Sequence, residues 1–310
     1  MSPRSENGVE RVGMVGLGNM GGRIARRIAA ADWSIAGFDL DPAAAEAAGV
    51  EPVASAAELG AGVDALFMSL PDSKVVEAVV LGDGGLLGAV REGTVVVDLS
   101  TAAPDSTVQI HAAFAERGVE YIDAGISGGA AAAEKGALTI MAGGSAEALD
   151  RVRPVIDSFA AKVFHMGGPG RGHVAKLLNN FLNGVSLAAS AEAMVGAKLA
   201  GLDLRQFLEV VNSSSGVNFA TLNRFPKIIE GDYLEGGLSS NLMAKDLRLY
   251  LELMQDLGAT SFTGPPTLGT FDLANALGYG DQISNRVVDA IGDMADGTRV
   301  QADADAGTGR

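Results

Sequence analysis

The stretch Val12-Gly13-Met14-Val15-Gly16-Leu17-Gly18-Asn19-Met20-Gly21 decides the fold. Val12–Val15 reads as a short strand, and a helical pattern runs from Met20 to Ala31. A G-x-G-x-x-G turn joins them. In that setting each glycine has a mechanical task. Gly16 makes the tight turn, Gly18 lets a pyrophosphate approach the backbone, and Gly21 lets the helix pack on the strand. The helix N-terminus then faces the phosphates. Gly16, Leu17, Gly18, Asn19, Met20 and Gly21 are therefore candidate dinucleotide ligands.

The pattern repeats outward from this turn. Ser34–Phe38, Ala65–Ser69, Val95–Leu99, Glu120–Ile122, Leu138–Met141 and Lys162–His165 read as strands, most of them followed by Gly, Asp or Pro. Helical stretches such as Pro42–Ala48 and Ser106–Arg117 lie between the earlier ones. This alternation predicts an α/β fold, a Rossmann-type doubly wound sheet over residues 1–167. After Gly167 the run Gly-Gly-Pro-Gly-Arg-Gly breaks the pattern. A long helix follows from His173 to about Ala200, and helical patterning continues to Thr298. Breaks fall at Gly201, Ser213–Gly216, Gly236–Gly237 and Gly264–Pro266. Residues 168–298 read as an all-helical domain for substrate and dimerisation, and 299–310 as a disordered tail.

Further nucleotide contacts belong at the carboxyl edge of the sheet. Asp39, with Leu40 beside it, ends the second strand about twenty residues after Gly16. A carboxylate there accepts hydrogen bonds from the adenine ribose hydroxyls and repels a 2′-phosphate. Asp41 is better placed than Asp39 to cap the helix at Pro42. No Arg or Lys lies between Asp39 and Glu51, so NAD is favoured over NADP. Leu70, Pro71 and Val75 would wall the adenine side, and the hydroxyl of Thr101 could reach the nicotinamide ribose. Asp98 and Ser100 suit helix capping and ligand contact equally.

Composition excludes other classes. Lys and Arg number 23 against 38 Asp and Glu, and no dense basic run exists, so a nucleic-acid partner is not expected. The absence of Cys removes disulfides and thiolate metal sites. No metal-ligand cluster is visible. The first ten residues lack the apolar core of a signal peptide, and the apolar run Val185–Leu202 is broken by Glu192 and Lys198. A cytoplasmic protein without a membrane partner is expected.

Two segments carry chemistry. In Gly170-Arg171-Gly172-His173-Val174-Ala175-Lys176-Leu177-Leu178-Asn179-Asn180, the residues Lys176 and Asn180 are i,i+4 on one helix face, with His173 one turn earlier. A lysine so placed can project into an interdomain cleft, whereas a solvated surface lysine is the ordinary alternative. Ser127-Gly128-Gly129 exposes backbone N–H groups that form a nest for a carboxylate, or else a merely flexible connection.

With the Gly16–Gly21 turn, Ser127–Gly129, the Gly170–Asn180 segment and Lys245-Asp246 in this order, the chain resembles the β-hydroxyacid dehydrogenase family from about Arg11 to Thr298. That family includes 3-hydroxyisobutyrate dehydrogenases and tartronate semialdehyde reductases. The resemblance implies that Lys176 is catalytic, and that Ser127, Gly128, Gly129 and Asn180 hold the substrate carboxylate. It implies also that Lys245 reaches the cofactor. Unaided, Lys245 and Asp246 read as a solvated helix face. The chain departs from the family in having Gly125-Ile126 where Pro-Val is common. It also has Ala130–Ala133 where a Gly usually stands. Both changes bear on which acid is bound.

The implied mechanism passes the hydroxyl proton to Lys176 as hydride leaves to the nicotinamide. Desolvation beside the nicotinium charge would favour the neutral amine. His173 could relay the proton, and His111 and His165 read as structural. Imine reductases share the fold but usually replace the lysine. A non-catalytic cofactor-binding interaction protein would lack it. 6-Phosphogluconate dehydrogenases have a far longer helical domain. The substrate would be a small carboxylate, and the apolar helical half predicts a homo-oligomer, a dimer or a tetramer.

Overall fold

The computed structural model describes residues 8–301. Its strands are β1 (Arg11–Val15), β2 (Ser34–Phe38), β3 (Glu51–Pro52), β4 (Ala65–Met68), β5 (Val95–Asp98), β6 (Glu120–Ser127), β7 (Leu138–Gly143) and β8 (Ala160–Gly167). They form one sheet in the order β3-β2-β1-β4-β5-β6-β7-β8. Every neighbouring pair is parallel except β6 and β7. The strand order reverses direction at β1 and β4, so a crevice is expected outside their carboxyl ends.

The sheet is buried on both faces, which explains the near-continuous apolar strands. In β4, Ala65 and Phe67 enter one core cluster while Leu66 and Met68 enter the other. This is the period-two alternation of a strand. Ile24 and Ile28 of the helix Gly21–Ala30 pack into the first cluster with Met14. Val76 and Val80 of the helix Ser73–Leu81 pack into the second with Leu66.

The sequence reading differs from the structure at several points. It has no strand at β3, where two residues, one of them Pro52, pair only with β2 at the sheet edge. An edge is where a sheet tolerates proline. It also ends β6 near Asp123, whereas the strand continues through Gly125 to Ser127. That second half pairs antiparallel with β7, from Ala124↔Ala142 to Ser127↔Thr139. Ser127 is thus the last residue of a strand, not part of a free loop. Gly264–Pro266 is not a break but the first turn of the helix Gly264–Ala274, where proline lacks an N–H that has no intrahelical partner anyway.

The chain forms two compact units that divide between Lys176 and Leu177, later than the expected boundary at 167. The reason lies at the start of the long helix Arg171–Leu199. A Cβ at Gly172 would lie 2.3 Å from the Asp123 carbonyl oxygen and 2.4 Å from that of Met141. Only glycine lets the helix start settle on β6 and β7, so its opening turns, Lys176 included, belong with the sheet.

The second unit is helical. Its core gathers Leu187 and Met194 from the long helix, Phe225 from Phe225–Ile228, Leu247 from Ser240–Asp256 and Phe271 from Gly264–Ala274. Arg299, Val300 and Gln301, assigned to the tail by sequence, are packed: Val300 is buried and Gln301 donates to the Tyr233 hydroxyl at 3.0 Å. Residues 302–310 lie outside the described residues. Among the described residues, no helix is long and apolar enough to cross a membrane.

Candidate active site

At the β1 turn the glycines separate by what surrounds them. Gly16 has φ +83°, and a Cβ there would lie 2.3 Å from the Ser69 carbonyl oxygen. Its N–H donates to Phe38 O at 2.9 Å, closing the turn against β2. A Cβ on Gly21 would lie 1.9 Å from the Gly16 carbonyl oxygen. Gly18 is different, because a Cβ there would meet nothing within 4 Å. Glycine at 18 answers no contact within the chain, and the open space fits a ligand backbone passing close by. The helix Gly21–Ala30 has neither a side-chain cap nor an acidic residue in its first turn. Its terminal N–H groups and dipole therefore suit a phosphate.

Asp39 stands just beyond β2. Its Oδ2 accepts from Leu17 N at 2.7 Å and its Oδ1 from Asp41 N at 2.9 Å. Two backbone donors fix the carboxylate beside the glycine turn. Asp41, through Ala43 N at 3.0 Å, does the local turn work that Asp39 was weighed for. Leu17 itself is buried in the core, so it serves the site through its N–H and not its side chain. Met20 packs against that core as well. Leu40 is 90% exposed. Asn19 accepts from Arg23 through its carbonyl at 2.6 Å and through its side chain. Arg23, two residues past the motif, is also paired with Glu134 at 2.8 Å.

The β4 and β5 ends are stitched together. Leu70 N donates to Ser100 Oγ at 2.9 Å, and Ala103 N to Ser73 Oγ at 2.8 Å. Ser100 N donates to Asp98 Oδ1 at 2.9 Å, and the Tyr121 hydroxyl to Asp98 Oδ2 at 2.8 Å. Burial, then the nearby Asp98 charge, holds the Tyr121 pKa well above its ordinary value, so the phenol stays a donor. Asp98 and Ser100 are thus structural braces. Pro71 is exposed; Leu70, Thr101 and Val75 are half-buried. Val75 N donates to the capping Asp72 Oδ1 at 3.0 Å.

The chemistry-bearing segment is built around Asp123, fully buried in β6. Its Oδ1 accepts from Gly170 N and its Oδ2 from His173 N, both at 2.8 Å, which caps the long helix. One turn later comes Lys176, 9% exposed. A Cβ at Gly125 would lie 2.5 Å from Lys176 Cβ, so the lysine stem rests on that strand position. Gly125 and Ser127 are two apart in β6 and share a face of the sheet. Lys176 therefore lies over the face that carries Ser127. Beyond Ser127, Gly128 and Gly129 both take positive φ, +127° and +69°, and a Cβ at Gly129 would meet nothing within 4 Å.

His173 is fully buried, with Nδ1 2.7 Å from Thr107 Oγ1. Thr107 Oγ1 also lies within hydrogen-bond reach of the Ala103 carbonyl oxygen, at 3.1 Å, which ties the pair to the start of the helix Pro104–Ala115. His173 is thus tied into the sheet unit. His165 sits 2.9 Å from the Gly144 carbonyl.

In the helical unit, Asn180 Nδ2 donates to Asp246 Oδ2 at 2.5 Å, and Lys245 Nζ pairs with Asp246 Oδ1 at 3.0 Å. Asp246 is 2% exposed and not a solvated residue. Its apolar neighbours Met243, Ala244 and Leu247, all buried, were the signal that this helix face turns inward.

Residues 11–168 match the family of NAD-binding domains of 6-phosphogluconate dehydrogenase. Residues 170–291 match the one described as the NAD-binding domain of NADP-dependent 3-hydroxyisobutyrate dehydrogenase. The NAD-dependent L-serine dehydrogenase of Pseudomonas aeruginosa is 38% identical over 284 residues, covering 88% of this chain and 95% of that one. The 2-(hydroxymethyl)glutarate dehydrogenase of Eubacterium barkeri is 34% identical over 281 residues, covering 90% and 93%. Among solved structures, 3-hydroxyisobutyrate dehydrogenase of Mycobacterium tuberculosis with L-serine superposes with a TM-score of 0.83 at 29% identity, covering 91% of this chain and 99% of that one.

The contrast between two glycines gives a test. Gly18→Ala is expected to melt within about 2 °C of the wild type yet to bind NADH or NADPH at least about tenfold more weakly. Gly21→Ala should lower Tm by about 4 °C or more, since a methyl cannot share space with the Gly16 carbonyl. Thermal melts and fluorescence titration measure both. A Gly18→Ala protein with unchanged nucleotide affinity would remove Gly18 from the site.

Proposed function

The chain belongs to the β-hydroxyacid dehydrogenase family, and from that premise we propose that Lys176 is the general acid–base of its reaction. The family's reaction moves a hydride between NAD(P) and a small β-hydroxy acid or its carbonyl product. The observation that carries the reading is the seating of Lys176 on Gly125, over the β6 face that bears Ser127.

In this reading the substrate carboxylate binds the N–H groups of Gly128 and Gly129 and the hydroxyl of Ser127. Asn180, one turn beyond Lys176 on the same helix, adds an amide N–H. Asp246, by accepting from Asn180 Nδ2, keeps the donor end of that amide defined. Gly16–Gly21 and the N-terminus of the helix Gly21–Ala30 would hold the cofactor pyrophosphate, with Asp39 on the adenine ribose. Leu70, Pro71, Val75 and Thr101 would line the cofactor. Lys245 is the remaining residue proposed to contact the cofactor. Bound NAD(P)+ supplies the hydride acceptor. Lys176, as the neutral amine, takes the proton from the substrate hydroxyl as the carbonyl forms; in the reverse direction its ammonium returns that proton to the oxygen. The buried stem limits the positions its Nζ can reach, which supports proton transfer at one defined oxygen.

Lys176→Ala should lower kcat by about 10² to 10⁴ while leaving NADH affinity and Tm near wild type. Lys176→Arg should recover little, because a guanidinium cannot give up its proton as base. Retention of more than about a tenth of kcat in Lys176→Ala is a loss smaller than the least acid–base contribution, about 10², and would remove the lysine from that role.

NAD is the proposed cofactor in preference to NADP. Asp39 is held by two backbone donors just beyond β2, and a carboxylate fixed there would repel a 2′-phosphate on the adenine ribose. kcat/KM should be higher with NAD⁺ than with NADP⁺, and Asp39→Ser should narrow the gap. An NADP⁺ advantage in the wild type overturns this assignment.

A homodimer is proposed as the smallest assembly. Leu182, Leu199, Phe219 and Leu222 of the helical unit are each more than half exposed in the single chain, and exposed apolar side chains in this number mark a surface that a partner ordinarily covers. Light scattering should give a mass above the 31.5 kDa of one chain at micromolar concentration, and a 31.5 kDa species alone counts against it.

A further inference from the structure

Arg224 lies in the helical unit, at the junction of the helices Phe219–Asn223 and Phe225–Ile228. Its Nη1 donates to Asn285 Oδ1 at 3.0 Å and its Nη2 to Asn183 Oδ1 at 2.9 Å. The Phe219 ring lies under the guanidinium, 5.6 Å to the centroid. Asn285 is itself buried and spends its own Nδ2 on Tyr233 O at 2.8 Å, so its oxygen is committed to the arginine. Both partners are neutral amides. They orient the fork of N–H groups without cancelling its charge.

No carboxylate does so either. Among the described residues Arg224 joins no ion pair, whereas Arg205, Arg248, Arg286 and Arg299 of the same unit are each paired with Asp or Glu. Burial alone pushes the Arg224 pKa down, to about 10, with no charged neighbour acting on it. It is still a cation at neutral pH. A chain with 38 acidic residues has left uncompensated one of its more deeply placed guanidiniums. Removing a charge from water without a charged partner is costly, and an anion arriving from outside would offset that cost.

The position says which anion. Asn183 is three residues beyond Asn180 on the long helix, and i,i+3 side chains are neighbours, with Cβ atoms about 5–6 Å apart. Asn180 is the residue assigned above to the substrate carboxylate. We propose that Arg224, held by Asn183 and Asn285, binds a second carboxylate of the substrate, so that the preferred substrates are β-hydroxy diacids with a few carbons between the carboxylates. The planar fork of a guanidinium matches a carboxylate in two-pronged fashion. This proposal rests on the carboxylate role of Asn180, not on the proton-transfer role of Lys176.

Two measurements separate those dependences. The first is calorimetric titration of glutarate, which cannot turn over, into the NADH-loaded protein. Wild type should bind it at least tenfold more tightly than Arg224→Gln, with Arg224→Lys between them. The second compares kcat/KM for 3-hydroxyisobutyrate with that for 2-(hydroxymethyl)succinate and 2-(hydroxymethyl)glutarate. The wild type should favour a diacid by tenfold or more. Arg224→Gln should raise KM for that diacid by a similar factor, with kcat and monoacid turnover within about twofold. Such changes are of the size of one charge-assisted contact, tenfold being 1.4 kcal/mol. Equal glutarate affinity in wild type and Arg224→Gln overturns the proposal. So does a wild type that turns over the monoacid as well as both diacids, a result that needs no variant to fold. If Lys176→Ala stays active while glutarate binding still depends on Arg224, the anion site stands and only the acid–base assignment falls.

Discussion

The sheet unit depends on a single buried carboxylate. Asp123 sits where β6 leaves its parallel partner β5 and takes up its antiparallel partner β7, and there it caps the long helix through Gly170 N and His173 N. A helix N-terminus carries partial positive charge and unpaired N–H groups, so a carboxylate fixed against it satisfies both partners at once. The same contact aligns three glycines. A Cβ at Gly143 would lie 2.6 Å from Asp123 Oδ1, and one at Gly172 would strike the Asp123 carbonyl. A Cβ at Gly125 would strike the Lys176 stem. The cap fixes the start of the helix, the glycines bring it down onto the strands, and Lys176 is seated one turn later as the result.

The neighbouring strand, where Asp98 pairs in register with Asp123, is organised in a related way. Asp98, in β5, is buried like Asp123 and also accepts from a backbone N–H, that of Ser100. Ser100 then accepts from Leu70 N, so the loops after β4 and β5 are joined through one hydroxyl. Tyr121, one strand over in β6, completes Asp98. Both carboxylates act through local hydrogen bonds to stiffen loops that would otherwise expose unpaired backbone groups. A rigid edge leaves Gly18 as the place where close approach is open.

How far the sequence reveals this follows from the range of each signal. The Gly16–Gly21 turn and the apolar runs of β1, β2, β4 and β5 are local patterns, and they read correctly. The second half of β6 was hidden because Gly125 interrupts its β-like pattern, and its pairing comes from β7, more than ten residues on. The late division at Lys176 was hidden for the same reason, since Gly172 near a strand carbonyl is a tertiary contact. Lys245 was singled out only through the family resemblance. The hydrogen bond that Asp246 beside it accepts comes from Asn180, far away in sequence. Arg224 gave no signal at all: an arginine between Asn223 and Phe225 looks like any other until its neighbours prove to be amides.

That contrast between partners separates supporting charges from receiving ones. Asp98, Asp123, Asp246 and Asp289 are all nearly or fully buried, and each has donors within the chain. Asp289 takes the Tyr233 hydroxyl at 2.7 Å and Arg286 Nη1 at 3.1 Å. A buried ion closed off in this way has its field spent locally and serves the fold. Arg224 has its geometry fixed and its charge left over, which is the condition a ligand site requires: orientation determined in advance, with compensation still to come. Aspartates that close their own circuits and one arginine that does not are what would let this chain recognise an anion in its helical unit without loosening the packing around it.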